Sequence, residues 1–360
     1  MSKVNMAAVA FNGQEVQGLR ETFYQSIFNV PALNQFTTLV SGVKAKQQIV
    51  FLGQLGLSGK KITGCDTVPN PSSVQASEKF WSPEYIGDRF EECFTNLMTS
   101  FWAYATKNGV QKPDLTNTDF ALFLEDRIGI AAQEAVLRHA WLGNKSASVY
   151  HATTNTAGTL KPGIDPVYFT PINGLWVQAL AIVAAKPAQR ITLAANAGVS
   201  YAAQEFTQAD IDNKVATKLL NSMVFKADMR LRAQTDKVLI VTQSLFDQYV
   251  QERQSVSSID LAYDRVEGGI DTIKINGVDV IPFDFLDRQI RSYEDNGTKF
   301  NNPHRAILST KSNLQVATEE EGNLTELDPF FDKMSKKYVI DYAFNLDAKI
   351  VEDHLLMAAY

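Results

Sequence analysis

"YVIDYAFNLDAKI", residues 338–350, is the stretch on which the fold turns. Tyr338, Ile340, Tyr342, Phe344, Leu346, Ala348 and Ile350 are apolar, while Asp341, Asn345, Asp347 and Lys349 stand between them. A period of two held over thirteen residues puts alternate side chains on opposite faces of one extended strand. At ~3.3 Å per residue that strand is ~43 Å long, where an ordinary strand has about five or six residues. The pattern predicts an elongated sheet with one dry face.

The clearest helix is "NTDFALFLEDRIGIAAQEAVLRHAWLGN" (117–144). Thr116 or Thr118 can cap it, Asp119 sits in the first turn where the helix dipole favours a carboxylate, and Gly143-Asn144 end it. Phe120, Leu124, Ile128, Ala131 and Ala135 form one apolar row, and Phe123, Ile130, Leu137 and Trp141 a second. Two rows along ~39 Å predict a structural spine packed against more than one element.

The middle of the chain reads as mixed α/β. "TQADIDNKVATKLLNSM" (207–223) has a capping-box pattern at Thr207 and Asp210, then Ile211, Val215, Leu219 and Met223 on one helical face. "KVLIVT" (237–242) is a buried-strand run leading into a helix capped at Ser244. "DTIKINGVDVIPF" (271–283) is a β-hairpin, since Asn276-Gly277 supplies the positive φ angles of a type I′ turn. "HRAILST" (304–310) is a further strand, so a sheet flanked by helices is expected.

Towards the N-terminus, residues 1–42 read as an arm, with a short amphipathic helix (Phe23, Tyr24, Ile27, Phe28) broken at Pro31. "KAKQQIVFL" (44–52) and the aromatic-rich "EKFWSPEYI" (78–86) read as two strands. Residues 53–77 between them are polar and rich in glycine and proline, which places "GQLGLSGKKITGC" (53–65) at the tip of a long two-stranded projection. A lone hairpin buries no core and is stable only against a partner.

The tip resembles a phosphate-binding loop without meeting its requirements. Gly59-Lys60 needs glycine at position 54, which is Gln54, and Lys61 stands where a metal-binding hydroxyl is required. No G-x-S-x-G, H-E-x-x-H or G-x-G-x-x-G pattern occurs. His139, His151, His304 and His354 are scattered, and His139, between polar neighbours, reads as a surface or satisfied histidine. Cys65 and Cys93 are too few for a disulfide scaffold, which favours a reducing compartment. Neither a signal-peptide core nor an apolar run of 18 residues is present, so neither standard secretion nor membrane spanning is expected. A net charge of −6 argues against a surface that grips nucleic acid. Catalysis, a cofactor and a bound metal are therefore not expected.

Six stretches keep an order along most of the chain: "SEKFWSPEYIGDRFEEC" (77–93), "VLRHAWLGN" (136–144), "VLIVTQSLFDQY" (238–249), "INGVDVIPFDFLDRQI" (275–290), "NPHRAILSTKSNLQVAT" (302–318) and "AKIVEDHLLMAAY" (348–360). In that order, with the arm, hairpin, spine and terminal strand, the chain resembles a tailed-bacteriophage major capsid protein of the Hong Kong 97-like fold. The resemblance implies an α+β mixed fold with an N-arm (1–42), an extended E-loop hairpin and its flanks (43–92), and a spine helix with the first part of a peripheral domain (93–175). An axial domain (176–325) and a long strand completing the peripheral domain (326–360) follow. It implies a structural protein, not an enzyme, that self-assembles through pentamers and hexamers into an icosahedral virion shell in the bacterial host cytoplasm. Its implied partners are copies of itself, scaffolding, portal and decoration proteins, and packaged dsDNA enclosed without sequence-specific binding; no membrane is involved. Candidate assembly contacts are Lys60 and Lys61 at the hairpin tip and Trp81 and Tyr85 in its aromatic return. Two rivals remain at this stage: an encapsulin-like cellular shell, and a soluble α/β nucleotide-binding enzyme resting on residues 53–63.

Overall fold

The alternating stretch folds as one strand of 14 residues, Lys337–Ile350, and three other strands hydrogen-bond to it. The computed structural model describes residues 31–44, 46–52, 76–93, 119–256, 264–265, 271–319, 326–332, 334 and 337–360. Along the chain the strands are β1 (Thr38–Val40), β2 (Gln48–Leu52), β3 (Ala76–Phe80), β4 (Glu84–Cys93), β5 (Arg190–Ile191), β6 (Lys237–Val241) and β7 (Asp264–Arg265). They continue with β8 (Asp271–Ile275), β9 (Val278–Pro282), β10 (Ala306–Thr310), β11 (Leu314–Ala317), β12 (Glu326–Asp332), β13 (Lys337–Ile350) and β14 (Leu356–Ala359). The longer helices are α1 (Asp119–Leu142), α2 (Leu175–Ala185), α3 (Val215–Lys226), α4 (Gln243–Val256) and α5 (Asp284–Tyr293).

One sheet runs β1-β11-β13-β12, with β4 also paired to β13. β4 follows β13 antiparallel from Lys337↔Cys93 to Leu346↔Glu84, and β11 takes over from Asp347↔Ala317 to Ile350↔Leu314. Tyr342, Phe344, Leu346, Ala348 and Ile350 face α1 and α2, forming a core with Trp141, Leu175, Trp176 and Ala179. The opposite face is less simple than alternation predicts, because Ala343, Asn345 and Asp347 are buried too. Neighbouring segments cover them: the Ser82 N–H donates to Asp347 at 2.8 Å, and the Asn345 amide to Glu319 at 3.2 Å. Burial pushes the Asp347 carboxyl above its ordinary range, against the pull of the Ser82 N–H and Lys349.

The second sheet runs β5-β14-β10-β6-β9-β8-β7. Its β6 lies inside: Val238 and Ile240 join the first core, Leu239 and Val241 a second with Leu219, Leu220 and Met223 of α3. A strand covered on both faces reads as a continuous apolar run, as "VLIV" does. β8 and β9 form the expected hairpin, with Asn276 at φ 50° and Gly277 at φ 78°.

Several helical expectations need correction. In α1, Ile128, Ala135, Leu137 and Trp141 are buried, but Ile130 is 50% exposed. The buried arc runs instead through Ile128, Ala132, Val136 and Ala140, and at ~100° per residue Ile130 stands ~200° from Ile128. His139 falls within that arc and is buried, with Nδ1 lacking a partner among the described residues. Ala131 is half-buried, and Phe120, Phe123 and Leu124 of the expected rows lie outside the described side chains. The helix expected over 207–223 breaks into Gln208–Asp212 and α3, with Lys214 in the left-handed region at φ 54°. The expected capping box between Thr207 and Asp210 is present, the Asp210 carboxylate accepting the Thr207 N–H at 2.7 Å. Pro31 opens a helical turn, Pro31–Asn34, as suits a residue without an N–H to give; the helix expected before it, with Phe23, Tyr24, Ile27 and Phe28, lies outside the described residues.

Candidate functional site

The projection and the sheet edge it joins are the parts of the chain suited to meeting something else. β2 and β3 pair with each other from Gln48↔Phe80 to Leu52↔Ala76 and with no other described strand. The single strand expected over 78–86 is two strands, broken at Trp81-Ser82-Pro83. Pro83 has no N–H for a ladder, while the Trp81 N–H turns to Gln47 O at 3.0 Å and the Ser82 N–H to Asp347. Trp81 is 3% exposed, packed with Val43 and Ala317 and flanked by Val40 and Ile49. The indole of Trp81, expected from the sequence as an assembly contact, is covered by its own subunit and anchors the base of the hairpin. Tyr85 is 53% exposed, on the face of β4 turned away from α1 and opposite Asn345. Lys60 and Lys61 lie outside the described residues.

Ion pairs tie this region together. Lys79 donates to Ile350 O at 2.5 Å and to Asp353 at 2.7 Å, and Lys186 approaches the other Asp353 oxygen at 3.6 Å. Burial raises the Asp353 carboxyl, but the two lysines outweigh it and hold the group below the ordinary carboxylate range. Glu84 pairs with Lys145 at 2.9 Å, and Arg89 grips Asp341 with two bonds of 2.7 Å each. The strands themselves are acidic: β4 carries Glu84, Asp88, Glu91 and Glu92 against Arg89, and β12 carries Glu326, Asp328 and Asp332 with no cation. No spacing in the sequence points to Lys79 or Asp353, because they meet across 274 positions.

One contact has the outline of a nucleophile and its base. The Ser244 hydroxyl lies 2.8 Å from His304 Nδ1, and Nε2 lies 2.7 Å from Gln204 O. Nε2–H donates to that carbonyl, so Nδ1 accepts from the serine hydroxyl. Ser244 thus serves His304 instead of capping α4 as the sequence suggested; the Thr242 carbonyl accepts the Leu245 and Phe246 N–H groups there. His304 is buried beneath Phe206, which pushes its pKa down. A polar cavity lined by Tyr150, Asn196, Asn296, Lys299 and Asn302 includes neither Ser244 nor His304. Among the described residues no group of three His, Cys, Asp or Glu could hold a metal, and no helix is long and apolar enough to cross a membrane.

No protein-family model and no curated protein matches the sequence. Solved structures are. A chain of the satellite phage P4 procapsid, which includes the size determination (Sid) protein, matches with TM-score 0.50 and 13% identity over 95% of this chain and 98% of that one. A chain of the holo-SrpI encapsulin complex from Synechococcus elongatus PCC 7942 gives 0.48 and 9% over 92% and 87%, and one from the cyanophage A-1(L) capsid gives 0.46 and 11% over 91% and 92%. The fold is that of a phage capsid protein.

Proposed function

We propose that this chain is a major capsid protein: a structural subunit that assembles with copies of itself, through pentamers and hexamers, into an icosahedral shell around phage dsDNA. The observation that carries this reading is a fold shared with a phage procapsid chain over nearly the whole length of both. In the Hong Kong 97-like arrangement, residues 43–92 are then the E-loop, 176–325 the axial domain, and 93–175 with 326–360 the peripheral domain.

Physical reasoning supports it. A closed shell needs heterologous contacts that form rings, and further contacts that join the rings. Each can be weak, since a subunit tethered to several neighbours gains from effective concentration. Among the described residues, the small cluster around Trp81 supports the base of the hairpin, and a two-stranded ribbon needs a further surface to be stable. In this reading Lys60, Lys61 and Tyr85 meet neighbouring copies. The acidic balance suits an inner wall that encloses DNA without gripping it. Scaffolding, portal and decoration proteins are the remaining partners, assembly takes place in the host cytoplasm, and no catalytic step is assigned.

Electron microscopy of the purified protein, expressed alone and with a candidate scaffold, tests the reading. Closed particles of uniform size are expected; dispersed monomers under both conditions would overturn it.

A further inference from the structure

The hairpin joins the rest of the chain through two short connections, described at residues 41–44 and 46–47 on one side and 81–83 on the other. They are held to each other and to the sheet: the Lys46 N–H donates to Trp81 O at 2.9 Å, the Trp81 N–H to Gln47 O at 3.0 Å, and the Val43 N–H to Thr318 O at 3.2 Å. Lys46 takes φ 64°, a left-handed conformation that a non-glycine residue adopts only where its surroundings hold it there. With the indole of Trp81 between Val43 and Ala317, these contacts make a compact pivot. Pulling the indole out would expose a large apolar area, so the pivot resists separation.

Two residues out from that pivot, Lys79 makes the ties to Ile350 O and Asp353 described above. Asp353 opens the 3-10 turn Asp353–Leu355, which leads directly into β14, a strand hydrogen-bonded on both sides by β5 and β10. The anchor therefore belongs to the rigid body and the cation to the projection. Lys79 and Asp353 are 28% and 37% exposed at their side chains. A partly exposed pair adds little to global stability, yet placed off the pivot it controls an angle.

We propose that Lys79 and Asp353 form a releasable latch that sets the angle of the hairpin about the Trp81 pivot. The purpose of the hairpin is taken from the shell reading above; the latch itself is a property of the single subunit. Closed, it holds the projection at one inclination to the long sheet. Opened, it frees the hairpin to follow a neighbouring copy while both cores stay intact.

Amide hydrogen exchange on the purified full chain tests this. Lys79→Met keeps the apolar stem and removes the charge, Lys79→Arg keeps the charge, and Asp353→Asn alters only the anchor. Lys79→Met and Asp353→Asn are each expected to speed exchange in residues 48–52 and 76–80 at least about fivefold, with residues 306–310 unchanged and Lys79→Arg within about twofold of wild type. Unchanged hairpin exchange in either variant, or equal acceleration in 306–310, would overturn the latch. Failure of the wild-type protein to form particles sinks the shell reading and leaves this result standing, so the two fail separately.

Discussion

Arg305 sits over the indole of Trp176, its guanidinium carbon 4.8 Å from the ring centroid, while its Nη2 donates to Glu294 and to Asn301 O. Its Nε also donates to Asn302 O at 2.8 Å, so one buried cation draws the 294–302 segment onto α2. Removing one member of a buried pair strands the other charge. Arg305→Met is expected to cost about 3–5 kcal/mol in urea unfolding, and the double change with Glu294→Met to cost less.

Glu252 of α4 caps a helix in another part of the chain. Its carboxylate accepts the N–H of Ala216 at 2.8 Å and of Thr217 at 2.7 Å, two of the donors that the start of α3 leaves without internal partners. Glu252→Ala leaves both N–H groups orphaned and is expected to cost about 1–3 kcal/mol. Glu252→Gln keeps an acceptor and should fall between that variant and wild type in the same denaturation series.

Acid should loosen the subunit through His139. Burial, and secondarily the neighbouring Arg138, lower its pKa from 6.5 to about 3, so the folded chain keeps this imidazole neutral. The unfolded chain takes up a proton near its ordinary pKa, so stability is present above that value and is lost as pH falls towards 3. Thermal unfolding temperatures recorded from pH 7 down to about pH 4 should decline for wild type and decline less steeply for His139→Met. A residual slope is expected, because burial lowers His304 and His354 as well.

Gly87 of β4 lies directly opposite Ala343 of β13. A Cβ there would lie 2.4 Å from Tyr342 O and 2.8 Å from the Ala343 Cβ, neither of which can move without shifting the strand. Gly87→Val is expected to open the β4–β13 ladder, lower stability by about 1–3 kcal/mol and accelerate amide exchange across residues 84–93.

Tyr85 separates assembly from stability. It is half exposed, so Tyr85→Ser should change subunit unfolding by no more than about 0.5 kcal/mol. If it meets a neighbouring copy, particle yield in sedimentation falls all the same. Reversing Lys60 and Lys61 together to glutamate is expected to lower yield as well, more strongly at low salt, since exposed ionic contacts are screened.

Local chemistry alone determined several features of this protein. The alternation from Tyr338 to Ile350 specifies a long strand, because side-chain direction in an extended chain depends only on position parity. Asn276-Gly277 specifies its hairpin, because few residues tolerate positive φ. Tertiary structure decided the rest. Lys214 breaks a periodic helix where Glu252, far along the chain, waits to cap the second half. Ser244 serves His304 and not its own helix, Trp81 is covered by its own subunit, and Asp347 is buried on a face that its spacing assigns to water. In each of these the deciding partner lies tens or hundreds of residues away, and burial is set by what folds over a side chain, which no local pattern encodes.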